Sequence, residues 1–335
     1  MPPWWNGDGS QSTRGGRDAA RLSSAGGYNA GVNFRTVVWV MAMLAAGVAQ
    51  GATFEAAAAP GANYAVAEFR LWVPAGATRL AATLVLVPGS NGDGRAAVDD
   101  PVWQGFAAQH RLALVGCYFK DKPHPEGFIE QYANVAQGSG EALLDAMQSF
   151  AGQAGHAELA SAPFLLWGMS AGGEFNYEFT AWKPERVVAF VVNKGGIYYT
   201  ALTPPAARAV PGMLFIGGAD LDSRKDIIRG LFALNQRGGA RWALAEEPGA
   251  AHIVGRSRDV ALVFFEDVMA LRLGQDGLVP IAKGTGWVGD AKALSIAPVA
   301  AGRPPAYPVA WLPTERVARA WLAMETGKPF EPPQP

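Results

Sequence analysis

Short apolar runs alternate with amphipathic segments through the middle of the chain. Several runs are apolar at nearly every position, which is typical of strands that are buried on both faces of a parallel sheet. The segments between them repeat apolar residues at helical spacing or carry helix start and stop signals. The strands are predicted at residues 64–74, 80–87, 112–119, 164–167, 187–192, 213–216 and 241–245, and the helices at 102–110, 130–154, 174–182, 224–237 and 260–273. This alternation predicts one α/β domain, residues 60–275, with a mostly parallel central sheet and helices on both faces.

The N-terminal residues do not follow this pattern. Residues 1–33 are rich in Gly, Ser, Asn and Arg, so they are not expected to fold by themselves. Residues 36–49 form an uncharged apolar run that is short for a membrane span and suits the core of a signal peptide. We therefore expect residues 1–51 to be a polar leader with a signal peptide, cleaved between Gln50 and Thr53. The mature protein is then exported to the periplasm or the medium and keeps no stable membrane span. A buried N-terminal helix or an uncleaved anchor is the alternative, and N-terminal sequencing of the protein from its native host distinguishes them.

The C-terminal residues, 276–335, form an extension that is rich in Gly, Pro and Ala. Within it, residues 314–325 read as a capped amphipathic helix. We expect this helix to pack on the flank of the domain, with a lid over the site as the alternative.

Composition excludes several classes of function. The chain has 335 residues, of which 50% are hydrophobic, and a net charge of −1. This charge argues against nucleic acid as a partner, because phosphate binding needs a basic surface. The one cysteine, Cys117, rules out an internal disulfide and a site with several thiolates, and its apolar neighbours predict a buried small side chain. Metal-binding and nucleotide-binding motifs such as H-E-x-x-H, the EF-hand loop and Walker A are missing, so no metal or cofactor is expected.

The most informative stretch is Gly-Met-Ser-Ala-Gly at residues 168–172, between a predicted strand and a predicted helix. A serine at a sharp strand-to-helix turn has a strained backbone, and the flanking glycines let it lie close to neighbouring chain segments. Such a turn exposes the hydroxyl and leaves the first helical N–H groups free to face it. The motif therefore predicts a nucleophile at Ser170, and an ordinary Gly-rich loop is the alternative.

A serine nucleophile needs a base and a carboxylate. His252, in the loop after the last predicted strand, is the candidate base, since the other histidines precede the serine or fall within helices. Asp220 is the preferred acid because it stands directly at the end of a strand. Asp222 is the rival, although its simpler role is to cap the helix that follows.

These motifs resemble the α/β-hydrolase superfamily over residues 64–273, in the chain order Ser, Asp, His. The similarity is greatest to the esterase and dienelactone-hydrolase-like branches. Dienelactone hydrolases carry Cys at this turn and the chain carries Ser170, so their substrate is not transferred. The resemblance implies an α/β-hydrolase fold and a cofactor-free serine hydrolase that cleaves carboxylic esters through an acyl-enzyme, with a small-molecule, saccharide or lipid ester as substrate.

The resemblance also implies an oxyanion hole. One donor is the N–H of Ala171, and the second comes from the loop after the strand at 80–87, with Ser90 preferred and Asn91 next. Asn91 and Tyr118 are the candidates for substrate contact, with core packing as the alternative for Tyr118.

Three other functions remain open. Gly92, Gly94 and Ala97 follow a strand as in a dinucleotide-binding fingerprint, with Asp121 as its acid, but the proline at position 101 breaks the helix that a pyrophosphate site needs. A non-catalytic binding protein on a hydrolase scaffold is a second alternative. A serine peptidase or a lactone hydrolase is a third, because both use the same groups.

Overall fold

An eight-stranded sheet forms the centre of the protein. Its strands are β1 (Ala52–Ala58), β2 (Val66–Val73), β3 (Ala82–Val87), β4 (Leu112–Lys120), β5 (Phe164–Met169), β6 (Val187–Asn193), β7 (Gly212–Gly217) and β8 (Trp242–Glu247). They lie in the order β1-β2-β4-β3-β5-β6-β7-β8. β2 is antiparallel to β1 and to β4, while β4, β3 and β5 to β8 are parallel. Every residue of β3, β5, β6 and β7 is buried, which explains their continuous apolar sequences.

Helices cover both faces of the sheet. They are α1 (Pro101–His110), α2 (Ser139–Ala154), α3 (Ala171–Trp182), α4 (Pro205–Arg208), α5 (Asp222–Arg237), α6 (Ser257–Arg272) and α7 (Glu315–Glu325). Side chains of α2, α3 and α5 pack in the core on one face, and those of α1, α6 and α7 pack in the core on the other. This architecture confirms the predicted α/β class with a mostly parallel sheet and two helical layers.

The computed structural model describes residues 51–275, 277–299 and 307–330. The predicted leader and signal peptide lie outside these residues, apart from Gly51. Within the described part of the chain, no helix is long and apolar enough to cross a membrane. β1 belongs to the central sheet, so the domain begins before the predicted boundary at residue 60. This edge strand was missed because its sequence is rich in alanine and its side chains are mostly not buried.

The helix predicted at 130–154 is wrong in its first part. Two 3-10 turns, Gln131–Ala133 and Val135–Gln137, precede α2, which begins at Ser139. Gly138 stands before that helix with a φ of 132°, a value that an α-helix does not allow. The apolar periodicity therefore predicts the end of α2 correctly, at Ala154, but places its start too early in the sequence.

The C-terminal extension adds short strands and one helix. β9 (Leu273–Gly274), directly before the extension, pairs with β10 (Gly277–Leu278). β11 (Trp287–Asp290), β12 (Ser295–Pro298) and β13 (Ala310–Leu312) form an antiparallel sheet. α7 contacts α6 and β8 on the flank of the domain. Trp321 of α7 is fully buried, and its indole N–H donates to the carbonyl of Leu244 in β8 at 2.7 Å.

Cys117 lies in the middle of β4 and is completely buried. Burial raises the pKa of its thiol well above the usual value, so the thiol stays protonated and unreactive. Its surroundings are the apolar ones that the sequence predicts.

Candidate active site

Ser170 occupies the turn between β5 and α3. Its backbone has φ 53° and ψ −125°, a strained combination for a residue with a side chain. A methyl group added to Gly172 would lie 2.2 Å from the carbonyl oxygen of Val87, and one added to Gly168 would lie 2.2 Å from the carbonyl oxygen of Gly172. Both glycines are therefore required by the close approach of backbone segments, as the motif predicts.

His252 stands in the loop between β8 and α6, with its ring against Ser170. Its Nε2 lies 3.0 Å from Ser170 Oγ, and its Nδ1 lies 2.8 Å from Asp220 Oδ2. A carboxylate only accepts hydrogen bonds, so Nδ1 carries the proton and donates to Asp220. Nε2 is then free to accept the hydroxyl proton of Ser170.

Asp220, and not Asp222, is the acid that the structure brings to His252. The second carboxylate oxygen of Asp220 accepts from the N–H of Leu221 at 2.8 Å and from Arg224 Nη1 at 2.7 Å. The side chain of Asp222 is 91% exposed and pairs with Lys225. Asp222 does not cap α5 either, because that helix begins at Asp222 itself and no side chain caps it.

The charges around this group favour the protonation states that proton transfer needs. Burial lowers the pKa of His252, and the nearby cations of Arg224 and Lys194 lower it further against the opposing carboxylate of Asp220. Burial raises the pKa of Asp220, but the hydrogen bonds from His252 and the Leu221 N–H outweigh it and hold that pKa below its usual value. Asp220 is thus ionised and His252 neutral near pH 7.

The two predicted oxyanion donors belong to the serine turn and to the loop that approaches it. Ala171 is the first residue of α3, and within the described chain its N–H has no acceptor. The loop after β3 reaches the serine at Gly89, since a methyl group on Gly89 would lie 3.6 Å from Ser170 Cβ. Ser90 follows directly and is exposed. The role of these two N–H groups as donors to a developing oxyanion stays a prediction.

Asn91 does not fit its predicted role of reserve oxyanion donor, and its predicted contact with a substrate stays a prediction. Its backbone N–H donates to the hydroxyl of Tyr132 at 3.3 Å. Its side-chain oxygen accepts from the N–H of Asp121 at 2.7 Å, and its side-chain nitrogen donates to Ser90 Oγ at 3.2 Å. Asn91 instead fixes the shape of the loop that carries Ser90.

Tyr118 likewise supports this loop. Its ring centroid lies 5.6 Å from the guanidinium carbon of Arg95, and its backbone bridges to Asp93. No hydrogen bond, ion pair or ring contact joins it to Ser170, His252 or Asp220 within the described residues. A contact between Tyr118 and a substrate stays a prediction.

The dinucleotide alternative fails on the same loop. The N–H of Gly94 donates to the carbonyl of Cys117 at 2.9 Å, so it is not available to a phosphate. A 3-10 turn, Arg95–Asp99, follows in place of the α-helix that a pyrophosphate site requires. Asp121 accepts from the N–H of Tyr132 at 3.0 Å, which occupies the carboxylate that would bind a ribose.

Two buried carboxylates near the site were not predicted. Glu174 of α3 accepts from the N–H groups of Gly196 and Ile197 at 2.6 and 3.0 Å. One turn further along α3, Glu178 accepts from the N–H groups of Tyr199 and Thr200, both at 2.8 Å, and holds the same segment after β6 against the helix. Burial raises the pKa of Glu174 to about 7. Their spacing of four residues places both carboxylates on one face of α3, and this spacing was the signal for a shared role.

Comparison with known proteins gives similarity in structure alone, since no family model and no curated protein matches the chain. A poly(3-hydroxybutyrate) depolymerase of Bordetella parapertussis is 17% identical with a TM-score of 0.49, over 68% of this chain and 93% of that chain. An esterase of Pyrobaculum calidifontis is 15% identical with a TM-score of 0.46, over 67% and 86% of the two chains. A fluorophosphonate-binding serine hydrolase of Staphylococcus aureus is 12% identical with a TM-score of 0.44, over 64% and 98%.

The fold itself follows from the topology and from the placement of the site. The sheet is mostly parallel, since of its eight strands β2 alone runs opposite to the others, and the serine turn follows β5 at the centre of the strand order. The loops after β7 and β8 bring Asp220 and His252 to that turn from the same edge of the sheet. The chain therefore has the α/β-hydrolase fold.

Proposed function

We propose that the protein is a serine hydrolase that cleaves carboxylic esters through an acyl-enzyme intermediate. One observation carries the proposal: Asp220, His252 and Ser170 form a continuous hydrogen-bonded chain with separations of 2.8 and 3.0 Å. Three distant segments of the sequence supply these groups. The geometry is that of a nucleophile, its base and the carboxylate that orients the base.

In the first half of the reaction, Ser170 Oγ attacks the carbonyl carbon of the ester while His252 Nε2 takes the hydroxyl proton. Asp220 stabilises the resulting imidazolium through its bond to Nδ1. When the tetrahedral intermediate collapses, the bond to the alcohol oxygen breaks and His252 returns the proton to that oxygen. The alcohol leaves, and the acyl group stays on Ser170.

In the second half, water attacks the acyl carbon and gives its proton to His252. The bond to Ser170 Oγ then breaks, His252 returns the proton to the serine, and the carboxylic acid leaves. Both tetrahedral intermediates place negative charge on the former carbonyl oxygen. We assign the N–H groups of Ala171 and Ser90 as its donors, and each contributes on the order of 3 kcal/mol of stabilisation to such a transition state.

Labelling with a fluorophosphonate probe tests this proposal, because the probe reacts only with an activated serine. We expect the native protein to be labelled and to turn over p-nitrophenyl acyl esters, and Ser170→Ala to do neither. Ser161→Ala, which changes an exposed serine outside the site, serves as the matched control and should behave as the native protein. Equal labelling of Ser170→Ala and the native protein would refute the assignment.

The same measurements separate the alternatives. A non-catalytic binding protein would show neither labelling nor turnover. A panel of esters of increasing acyl length, with a lactone and a peptide amide added, identifies the carbonyl that the site accepts. We also propose export, which rests on the sequence of residues 1–51. An intact Met1 in the protein from its native host would exclude cleavage of the leader.

A further inference from the structure

Two polar residues at the end of β6 connect the three loops that carry Ser170, Asp220 and His252. The carbonyl of Asn193 accepts from the N–H of Ser170 at 2.8 Å. The side chain of Asn193 donates to the carbonyl of Val254, two residues after His252, at 3.3 Å. The N–H of Lys194 donates to the carbonyl of Phe215 in β7 at 2.9 Å.

The side chain of Lys194 is completely buried beneath the loop that carries Asp220. Its Nζ donates to Asn193 Oδ1 and to Glu247 Oε2, both at 3.2 Å. A methyl group on Gly217 would lie 2.9 Å from Lys194 Cε, so the lysine packs directly against the start of the acid loop. Lys194 also has a φ of 56°, a strained value for a residue with a side chain.

Glu247, the ionic partner of Lys194, holds both loops. Its other carboxylate oxygen accepts from the N–H of Arg256 at 2.9 Å, at the far end of the loop that carries His252. Its backbone carbonyl accepts from the N–H of Gly218 in the acid loop at 2.9 Å and from that of Ala250 at 3.3 Å. The ion pair therefore lies where the acid loop and the histidine loop meet.

A buried ion pair such as Lys194–Glu247 adds little net stability to a fold. The desolvation of two charges offsets much of their attraction, and apolar residues of similar volume are often equally stabilising. The contacts instead join the loops whose separation sets the distance between Asp220 and His252. We propose that Lys194, acting through Glu247, is a positioning residue that fixes these two loops for the reaction. This inference rests on the proposed function.

The charge of Lys194 makes this role measurable in the pH dependence of the reaction. The charged groups that face His252 are Asp220, Arg224 and Lys194. Those that face Lys194 are Glu247 and Asp220. The Lys194 cation lowers the pKa of His252, so its removal raises that pKa. Since the base works only when neutral, the acid limb of kcat/KM then moves to higher pH.

Lys194→Met is the direct test, since it keeps the length of the side chain and removes the charge. We expect kcat to fall about 100-fold with KM nearly unchanged, the loss typical of displaced catalytic groups. The acid limb of its pH profile should move upward. Glu247→Gln keeps the shape and an acceptor oxygen, so its kcat should fall by less, about tenfold.

The matched control is Arg229→Gln, which breaks the partly exposed ion pair of Arg229 with Glu246, the neighbour of Glu247 in β8. It should leave kcat and the pH profile unchanged. If Lys194→Met does not fold, the double variant with Glu247→Gln removes the unpaired buried charge, and its kcat should stay low. If neither folds, the single Glu247→Gln variant decides.

Two results would overturn the inference: an acid limb of Lys194→Met that superimposes on the native one, or a kcat of folded Lys194 and Glu247 variants within twofold of the control. An inactive native protein would instead refute the proposed function. The two failures are therefore distinguishable.

Discussion

The edge of the sheet around Ser170 and the C-terminal extension bury different kinds of side chain, with different consequences. Around Ser170, the buried groups are charged or hydrogen-bonded, as with Asp220, Lys194 and Glu247. In the extension, the side chains buried against the domain are mainly apolar, as with Trp321 and Met324 of α7. The first arrangement fixes directions and distances between polar atoms. The second removes apolar surface from water, and this hydrophobic stabilisation does not depend on direction.

This difference predicts a separation of activity from stability. Replacing a partly exposed polar group of the site, such as His252, should greatly reduce turnover and change the free energy of unfolding little. Replacing an apolar group in the extension should do the reverse. Two substitutions test the separation and a third tests the pH dependence of stability in the extension, beginning with the largest effect.

His252→Ala should reduce kcat by a factor on the order of 10⁶, as removal of one member of a serine triad does in other hydrolases. The histidine is partly exposed at the surface of the site, so the free energy of unfolding should change by less than about 1 kcal/mol. Ester turnover and urea denaturation measure the two quantities. His156→Ala, outside the site, is the control and should retain native turnover. If His252→Ala kept turnover near the native level, His252 would not be the base, and the predicted separation of activity from stability would be wrong.

Trp321→Ala should lower the free energy of unfolding by about 4 kcal/mol, because it leaves a cavity and an unpaired carbonyl at Leu244. The turnover of the remaining folded molecules should equal that of the native protein. Trp311→Ala, in the same extension, removes an indole that is only partly buried and should cost less. A large fall in kcat of folded Trp321→Ala would show that α7 takes part in the chemistry.

Glu325→Gln has the smallest predicted effect. Burial raises the pKa of Glu325 in the folded state to about 7, above the ordinary value of 4.5. The folded state therefore binds the proton more tightly, and stability falls as the pH rises from about 4.5 to about 7, by up to about 3 kcal/mol. The glutamine, which keeps the acceptor for the N–H of Glu246, should remove this fall.

Denaturation at pH 5 and pH 8 measures the effect of Glu325→Gln. Glu315→Gln, an exposed position of the same helix, should keep the native pH dependence. An unchanged pH dependence in Glu325→Gln would mean that its carboxyl does not titrate differently in the folded protein.

The sequence predicted the α/β class correctly, and the three residues that it singled out as a triad lie within hydrogen-bond distance of one another. The strands that contact helices on both faces must be apolar throughout, so they are visible as runs. The nucleophilic turn requires Gly168 and Gly172, because backbone atoms occupy the space of their side chains. His252 and Asp220 were found because each stands in a short loop directly after a buried strand.

The supporting residues were not predictable in the same way. Lys194 and Glu247 are ordinary charged residues in the sequence, and only the convergence of separate loops buries them together. Asn91 and Tyr118 were assigned to substrate because they follow or end strands near the site. The structure uses them to shape the loop of Ser90, a role that depends on the distant Tyr132 and Arg95. Pairings between residues far apart in the chain have no local pattern.

The buried thiol of Cys117 can report when the central sheet opens. The chain has no second cysteine, so a reagent that alkylates thiols reacts at a single position, in β4. The reagent reaches that position only when the strand separates from its neighbours. The rate of alkylation thus follows the opening of the domain core in the unaltered protein, without an attached dye and during turnover as well as at rest.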